Sequence, residues 1–455
     1  MAPEVTRLTG EQRGWCLYDW ANSVFKVSVL AVFFSLYLTE VVSADARTTG
    51  QHCPSALRDC AVSVLGARVQ AGSVFGFLLA ASTVLQVLVL PLIGAITDRT
   101  RRKRALLGAF AFGGAAATCG LAVIHGTAWR AGALLFAVAL LCYYASVVVY
   151  YALLPRLADP DQRDAVSAKG WAVGYLAGGI CLALNIGLVQ ALGVFGWSSG
   201  DAIRVCFVFC GLWWAGFTVL ALRRMRDHDL SDSDGEAVAG VLRSGFRQLR
   251  QTLAQARRLP ITLAFLAGYL IFIDGINTVN TTASLYGSQE LGLPVEVLTL
   301  TILVVQFVAF GGGLAHGWLA ARIGAQRTIL LSLAVWSTVI AAAYFVQAGN
   351  RPQFYALALG IGLVVGGTPA LSRSLYSQLV PTGREAAYFS LYTLGERGTS
   401  SIGPLVFSLV AEATGSYRPA ILSLVGFLVL GFVVVALVPV RRGIQQAGNP
   451  EPNLV

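Results

Sequence analysis

Residues 94–104 read GAITDRTRRKR, a short charged stretch between two long apolar runs at 69–97 and 104–126. A similar stretch, GWLAARIGAQR at 317–327, lies between two apolar runs in the second half of the chain. Both begin with glycine, have arginine five residues later and end with arginine. Matching charged turns in two halves indicate an internal duplication, which is common among transporter folds.

The composition is that of a membrane protein with many spans. Of the 455 residues, 56% are hydrophobic and only 12% are charged, whereas soluble domains carry about 25% charged residues. A bilayer core requires about 20 mostly apolar residues per helix, and an isolated strand would leave its backbone groups unpaired in lipid. Runs of this kind predict twelve spanning helices, near 15–42, 69–97, 104–126, 131–154, 169–193, 203–222, 261–285, 296–320, 328–347, 353–375, 386–411 and 419–440.

The basic residues predict the orientation in the membrane. With the amino terminus inside, and with basic residues at the span edges counted in the adjoining segments, inner segments hold 24 of the 33 Lys and Arg residues and outer loops hold seven, while Lys26 and Arg397 lie deeper within spans. Because positive loops stay in the cytoplasm, both termini are expected there, in a bacterial-type plasma membrane. The formal charge of +10 therefore reflects topology and not a nucleic-acid-binding surface. The first 13 residues lack a signal-peptide pattern.

The longest polar interval divides the spans six and six. It predicts an N-terminal six-helix bundle at 1–222, a cytoplasmic linker at 223–260, a C-terminal six-helix bundle at 261–440 and a cytoplasmic tail at 441–455. Within the linker, apolar residues and Arg alternate at helical spacing over 241–259. This pattern is typical of an amphipathic helix on the inner membrane face or of a solvated linker helix.

The charged loop also resembles a known signature. GAITDRTRRKR is similar to the major facilitator superfamily pattern, roughly Gly-x-x-x-Asp-Arg-x-Gly-Arg-[Lys/Arg], with Arg101 at the position of the second Gly. A more specific stretch, GGTPALSRSLYSQLVPTGREAAYFSLYTLGERGTSSIGP, covers 366–404. Together with LYDWANSVF at 17–25 and GWAVGYLAGG at 170–179, it resembles the branch of fungal vacuolar amino-acid exporters of autophagy and their bacterial relatives.

This resemblance implies an all-α fold of two six-helix bundles that works by alternating access. Spans 1, 4, 7 and 10 would line the central cavity, whereas spans 3, 6, 9 and 12 would face lipid. In the loop, Gly94 would permit close helix packing, and Asp98 with the basic residues would make charged contacts between helices in one gate state. The expected gating residues are Gly94, Asp98, Arg99, Arg102 and Lys103.

Several polar residues lie within the spans. A charge at bilayer depth costs about 2.5–3.5 kcal/mol even on the mildest scale, so it normally faces a partner or a water-filled cavity. Asp19, Asn22 and Lys26 are spaced i, i+3 and i+7 and share one helix face. The candidate solute- or proton-binding residues are Asp19, Asn22, Lys26, Asp274, Asn277, Glu396 and Arg397.

Two interpretations of these residues remain open at this point. They can lock helices together, with Asp19 paired to a basic residue at the inner surface and Lys26 paired to Asp274 or Glu396. Alternatively, the polar faces of spans 1 and 7 meet across the cavity and bind solute or a proton. Asp274 has no basic residue in its own span, and burial favours the neutral form of a carboxyl group, so it is the candidate proton carrier.

The cysteines and the missing motifs narrow the possibilities further. Cys53 and Cys60 lie in the first outer loop, where a short disulfide would persist, and we expect them to be joined. A metal site through these thiols and His52 would lack a fourth ligand. Neither an ATP-binding loop nor a nucleophile triad occurs in the sequence, so we expect no enzyme activity, no cofactor and no metal.

The sequence therefore predicts a secondary transporter for a small polar or zwitterionic solute, with amino-acid export favoured by the resemblance and proton coupling expected. Lys26 together with carboxylates suits a solute that carries both signs. Efflux of a drug or secondary metabolite is an alternative, although span 4 lacks the basic residue of many proton-driven drug exporters. A transporter-like membrane sensor that binds solute without moving it is another.

Overall fold

The computed structural model describes residues 8–53, 60–64, 66–226, 254 and 257–455. Helices dominate, and the described sheet is one hairpin in which β1 (Ala61–Val64) pairs antiparallel with β2 (Ala67–Gln70). Numbered along the chain, the helices are α1 (Gly10–Thr48), α2 (Val74–Arg99), α3 (Lys103–Gly120), α4 (Trp129–Leu157), α5 (Arg163–Val194), α6 (Ser199–Arg224), α7 (Pro260–Leu285), α8 (Val295–Ile323), α9 (Ala325–Ala343), α10a (Arg351–Val365), α10b (Thr368–Gln378), α11a (Glu385–Thr399), α11b (Ile402–Thr414), α12 (Tyr417–Leu437) and α13 (Val440–Gln446). Single turns lie at Ala71–Ser73, Leu121–Val123 and Tyr286–Glu290.

The all-helical membrane fold predicted from the sequence is confirmed. In the described part of the chain, eleven helical regions are long and apolar enough to cross a bilayer. The predicted span at 386–411 differs, because it consists of α11a and α11b, with 15 and 13 residues. Neither segment alone has the length of a span.

Prolines explain where α10 and α11 are interrupted. A proline inside a helix lacks an amide hydrogen and clashes with the carbonyl four residues earlier. Pro404 lies four residues after Ser400, where α11a ends, and Pro369 lies four residues after Val365, where α10a ends. The first helix changes differently: α1 is π-helical over Phe25–Phe33. Such π-helical segments often occur at functional sites.

Two buried apolar cores divide the helices into two sets. One core draws on α1–α6 and also includes Ala386, and the other draws on α7–α13. We refer to α1–α6 as the N-terminal bundle and α7–α12 as the C-terminal bundle. The amphipathic helix expected at 241–259 lies almost entirely outside the described residues.

Glycines of α5 allow close helix contacts. A Cβ at Gly174 would lie 2.7 Å from Ser23 Oγ of α1, and one at Gly179 would lie 3.0 Å from the Gln306 side chain of α8. The GWAVGYLAGG motif therefore packs α5 against its own bundle on one side and against the other bundle on the other.

The loop after α1 contains Cys53 and Cys60, the pair expected from the sequence to form a disulfide. A disulfide joins Cys53 to Cys60, and the Cys60 carbonyl accepts a hydrogen bond from Ala71 N at 2.8 Å. At the start of α4, Trp129 Nε1 donates to Asp45 Oδ2 near the end of α1 at 2.8 Å. The first hydrogen bond fixes the hairpin to the turn that follows it, and the second joins the end of α1 to the start of α4.

Candidate functional site

The bundles contact each other at one end of the molecule, which we call the closed end. It is formed by the ends of α2, α4 and α10b and by the starts of α5 and α11a. Both ends of the described chain lie here. Gln12 in the first turn of α1 donates to Leu157 O at 2.9 Å, and Asn453 near the other terminus donates through its backbone to Asp161 Oδ1 at 2.6 Å.

Asp98 and Gly94 join the two bundles at the closed end. Asp98 Oδ1 accepts from Ala386 N and Oδ2 from Ala387 N, both at 2.8 Å. These amides belong to the first turn of α11a, where an anion is favoured by free N–H groups and by the helix dipole. A Cβ at Gly94 would lie 2.7 Å from Ala386 O, so glycine is required for this approach.

The three basic residues predicted for the gate lie in different surroundings. Lys103 is buried and interacts electrostatically with Asp98. The side chains of Arg99 and Arg102 are exposed at the closed end. The structure therefore brings Gly94, Asp98 and Lys103 to the contact between bundles, and leaves Arg99 and Arg102 at its surface.

Further arginines reinforce the closed end. Arg156 of α4 lies 3.7 Å from Glu385 at the start of α11a. Arg163 donates to the carbonyls of Pro155 and Ala158 in its own bundle and to Ser377 O of α10b. A cavity of about 270 Å³ lies between these side chains and Asn449 of the tail.

Arg373 of α10b is the central charged residue of the bundle contact. It is fully buried, donates from Nε to Ser167 Oγ and from Nη2 to Ser167 O, each at 3.0 Å, and lies 3.6 Å from Asp19 Oδ2. Its guanidinium carbon is 4.7 to 5.8 Å from the centres of four rings, those of Trp15, Tyr150, Tyr151 and Trp171. Every one of these partners is in the N-terminal bundle.

Arg373 was not among the candidate residues predicted from the sequence. The predicted span at 353–375 ended two residues after it, but helix α10b continues to Gln378 and its residues are all buried. Pro369 was the available signal, because a proline shortly before a basic residue indicates an interrupted helix that can bury a charge.

Asp19 and Asn22 are too little exposed to line an open cavity. Tyr150 Oη donates to Asp19 Oδ2 at 2.6 Å, and a Cβ at Gly170 would lie 2.7 Å from the same oxygen. Asn22 is 3% exposed and interacts with Tyr18 on its own helix. Asp19 thus meets α4, α5 and α10b, and Asn22 belongs to the interior of the N-terminal bundle.

Lys26 is exposed and Glu396 partly exposed, and the two belong to different bundles. Lys26 lies on the π-helical segment, its side chain is exposed, and its Nζ is 5.6 Å from the centre of the Trp171 ring. It attracts Glu396 of α11a electrostatically. Among the described residues no carboxylate lies within 4.0 Å of Lys26 Nζ, so the two charges are neighbours without forming a closed ion pair.

Residues around Glu396 complete this polar region. Tyr269 Oη donates to Glu396 Oε2 at 3.3 Å, and Asn277 is a further hydrogen-bonding neighbour of the same carboxylate. Arg397 points instead to the N-terminal bundle, with its guanidinium carbon 4.0 Å from the centre of the Tyr144 ring. Asn277 and Glu396 therefore belong to one polar cluster, whereas Arg397 makes a cation–π contact between the bundles.

Asp274 does not meet the polar residues of α1. It is 2% exposed, and its Oδ2 accepts from Gly403 N at 2.7 Å, in the first turn of α11b. Its Oδ1 is buried without a hydrogen-bond partner. In this conformation Asp274 therefore contacts α11b, whereas Asn277 on the same helix lies beside Glu396, the carboxylate that interacts with Lys26 of α1.

The described residues include no group of three or more His, Cys, Asp or Glu side chains arranged to hold a metal ion. The functional region consists of charged and aromatic side chains, divided between a buried contact at Arg373 and an open space at Lys26. Such an arrangement can bind a polar solute and can change when the bundles separate.

Comparison with known proteins agrees with this architecture. A family model described as "Vacuole effluxer Atg22 like" matches residues 9–448. The chain is 28% identical over 438 aligned residues to the uncharacterized MFS-type transporter YxiO of Bacillus subtilis (strain 168), covering 95% of this chain and 96% of that protein. It is 27% identical over 465 aligned residues to autophagy-related protein 22 of Eremothecium gossypii, covering 94% and 91%.

A solved structure shows the same fold at lower identity. The MFS proton:xylose symporter XylE has a TM-score of 0.65 and 12% sequence identity to this chain, and the match covers 94% of both chains. The family match spans nearly the whole sequence, and the structural match spans both bundles. The chain is a multi-pass membrane transporter and not an enzyme, and it belongs to the vacuole effluxer Atg22-like family of the major facilitator superfamily.

Proposed function

We propose that this transporter exports a small zwitterionic solute, with free amino acids as the favoured class, by alternating access. The observation that carries the proposal is the position of Lys26 and Glu396. They have opposite charges, belong to different bundles, interact electrostatically and are exposed or partly exposed. A solute with one carboxylate and one ammonium group would bind Lys26 through the first and Glu396 through the second.

The surroundings of the two charges support this assignment. Trp171 beside Lys26 offers an apolar surface, and Tyr269 and Asn277 orient the Glu396 carboxylate. Because Lys26 has no carboxylate within 4.0 Å in the described part of the chain, a solute would gain a partner without breaking an existing ion pair. Charge-assisted hydrogen bonds of this kind contribute about 1.5–3 kcal/mol each.

The relatives support export. The family description names an effluxer, and the fungal relatives are autophagy-related proteins. For this chain we infer that the closed end is cytoplasmic, because basic residues concentrate there and both ends of the described chain lie there. The described conformation is then open to the outside of the membrane. A bacterial plasma membrane is the proposed location, because the relative YxiO comes from Bacillus subtilis.

We further propose that solute transport is coupled to a proton carried by Asp274. A carboxylate at a helix start usually takes the amides of the second and third residues, as Asp98 does. In α11b the third residue is Pro404, which has no amide hydrogen, so Asp274 Oδ1 stays unpartnered. A buried oxygen without a donor is a suitable place for a proton.

Counterflow in proteoliposomes tests the proposed function. Vesicles loaded with the twenty unlabelled amino acids should accumulate a ¹⁴C-labelled mixture of the same amino acids from outside, whereas empty vesicles should not. Accumulation of hydrophobic cationic drugs in place of amino acids would contradict the proposal in favour of drug efflux. Amino-acid binding without counterflow would contradict it in favour of a sensor.

A further inference from the structure

Arg373 belongs to the C-terminal bundle but lies entirely in a pocket of the N-terminal bundle. Within the described residues, its hydrogen-bond, ion-pair and ring partners are Trp15, Asp19, Tyr150, Tyr151, Ser167 and Trp171. None of them is in α7–α12. Separation of the bundles at the closed end therefore removes Arg373 from all of them at once.

This separation leaves two unpaired charges. Arg373 would face the newly opened space without an anion, and Asp19 would remain in an aromatic pocket with only Tyr150 as hydrogen-bond donor. Leaving a charge without its partner in a poorly solvated site is costly. A molecule that supplies both missing charges removes this cost in the open state only.

We propose that a free amino acid replaces the Asp19–Arg373 contact when the closed end opens, with its carboxylate on Arg373 and its ammonium group in the pocket of Asp19 and the surrounding rings. This inference rests on the proposed amino-acid transport and identifies where the solute is first bound from the closed side. It also explains why binding of the solute and opening of the closed end are linked, because the solute binds the open conformation better than the closed one.

The geometry of the pocket fits the two ends of an amino acid. Arg373 Nη1 is 3.6 Å from Asp19 and has no hydrogen bond of its own, so the guanidinium already has unused donor capacity. A guanidinium and a carboxylate form two parallel hydrogen bonds. The rings of Trp15, Tyr150 and Tyr151 surround the site that the guanidinium leaves, and aromatic faces attract an ammonium group.

Cysteine labelling of the closed end tests this inference without requiring transport. Ser377 is 1% exposed at the bundle contact, so a Ser377→Cys reporter reacts with maleimide only when the closed end opens. Labelling, located by peptide mass spectrometry, should rise when the twenty-amino-acid mixture is added. It should not rise with the corresponding amino-acid amides, which lack the carboxylate, or with the deaminated acids, which lack the ammonium group.

Three variants assign the effect to the proposed residues. Arg373→Gln should be labelled strongly without solute, and its response to amino acids should require at least about tenfold higher concentration. Asp19→Asn should respond equally to amino acids and deaminated acids. Arg327→Gln, an exposed arginine of the same bundle, is the matched control and should behave as wild type.

The outcomes separate this inference from the proposed function. Counterflow of amino acids together with a labelling response that Arg373→Gln leaves unchanged would overturn the inference and leave the proposed function standing. The same holds if amides open the closed end as well as amino acids do. Lack of counterflow in the wild-type protein would instead overturn the proposed function. If Arg373→Gln does not elute as a folded protein, the discrimination by Asp19→Asn decides.

Discussion

Asp98 and Asp274 each cap a segment of helix α11, but only Asp98 uses both carboxylate oxygens. Asp98 accepts from two successive amides of α11a, whereas Asp274 accepts from Gly403 N alone. The first contact joins the two bundles and the second lies within one bundle. The first is therefore suited to gating, and the second to carrying a proton while the bundle moves as a unit.

Replacement of Asp98 should open the closed end. Asp98→Asn removes the negative charge from the start of α11a and leaves one acceptor oxygen for two amides, a loss of about 1–2 kcal/mol. The open population should rise roughly 5- to 30-fold. Maleimide labelling of Ser377→Cys measures this change, and Asp159→Asn, an exposed carboxylate at the same end, is the control. Unchanged labelling would contradict the gating role.

Replacement of Asp274 should separate proton coupling from solute exchange. Asp274→Asn cannot carry a proton but can still accept from Gly403 N, so the helix contact is preserved. We expect transport driven by a pH gradient to be lost and amino-acid counterflow to remain, because exchange requires no net proton movement. If both activities weaken together, Asp274 contacts the solute instead. If both persist, it only joins helices.

The contact between α7 and α11b should not tolerate a side chain. A Cβ at Gly403 would lie 2.1 Å from Thr278 Oγ1 and 3.2 Å from Asp274 O. Gly403→Ala should lower the free energy of unfolding by about 1–3 kcal/mol because it overpacks this contact. Gly398, five residues earlier, has no atom within 4 Å of an added Cβ. Gly398→Ala should leave the thermal unfolding temperature unchanged or raise it, and equal losses for both variants would contradict this explanation.

The disulfide of the first outer loop can be tested by thiol labelling. In unfolded protein without reductant, Cys53 and Cys60 should not react with maleimide, and both should react after reduction. The free cysteine Cys142 serves as the internal control, since it should be labelled under both conditions. Modification of both loop cysteines before reduction would show that they are thiols.

The sequence was sufficient for the fold and for part of the gate. Length and hydropathy determine the spans, and the charged loop indicated helix contacts at Gly94 and Asp98 without saying that their partner is α11a. The exact interruption of α11 was not predicted, although Pro404 accounts for it in retrospect.

The partners of the buried charges could not be predicted in the same way. Periodicity shows that Asp19 and Lys26 share one face of α1, but it does not say which helix of the other bundle lies opposite. Arg373 was missed because hydropathy counts a basic residue at a span end as part of the loop. Asp274 lies deep in α7 as expected, but packing directs it to α11b and away from Lys26.

The central claim is that Lys26 and Glu396 recognise the two opposite charges of one solute. Competition in the counterflow assay by amino-acid amides and by deaminated acids tests it most directly, in wild type, Lys26→Met and Glu396→Gln. We predict that Lys26→Met loses, by about tenfold or more, the preference for amino acids over amides, and that Glu396→Gln loses the preference over deaminated acids. Identical preferences in all three proteins would contradict the account.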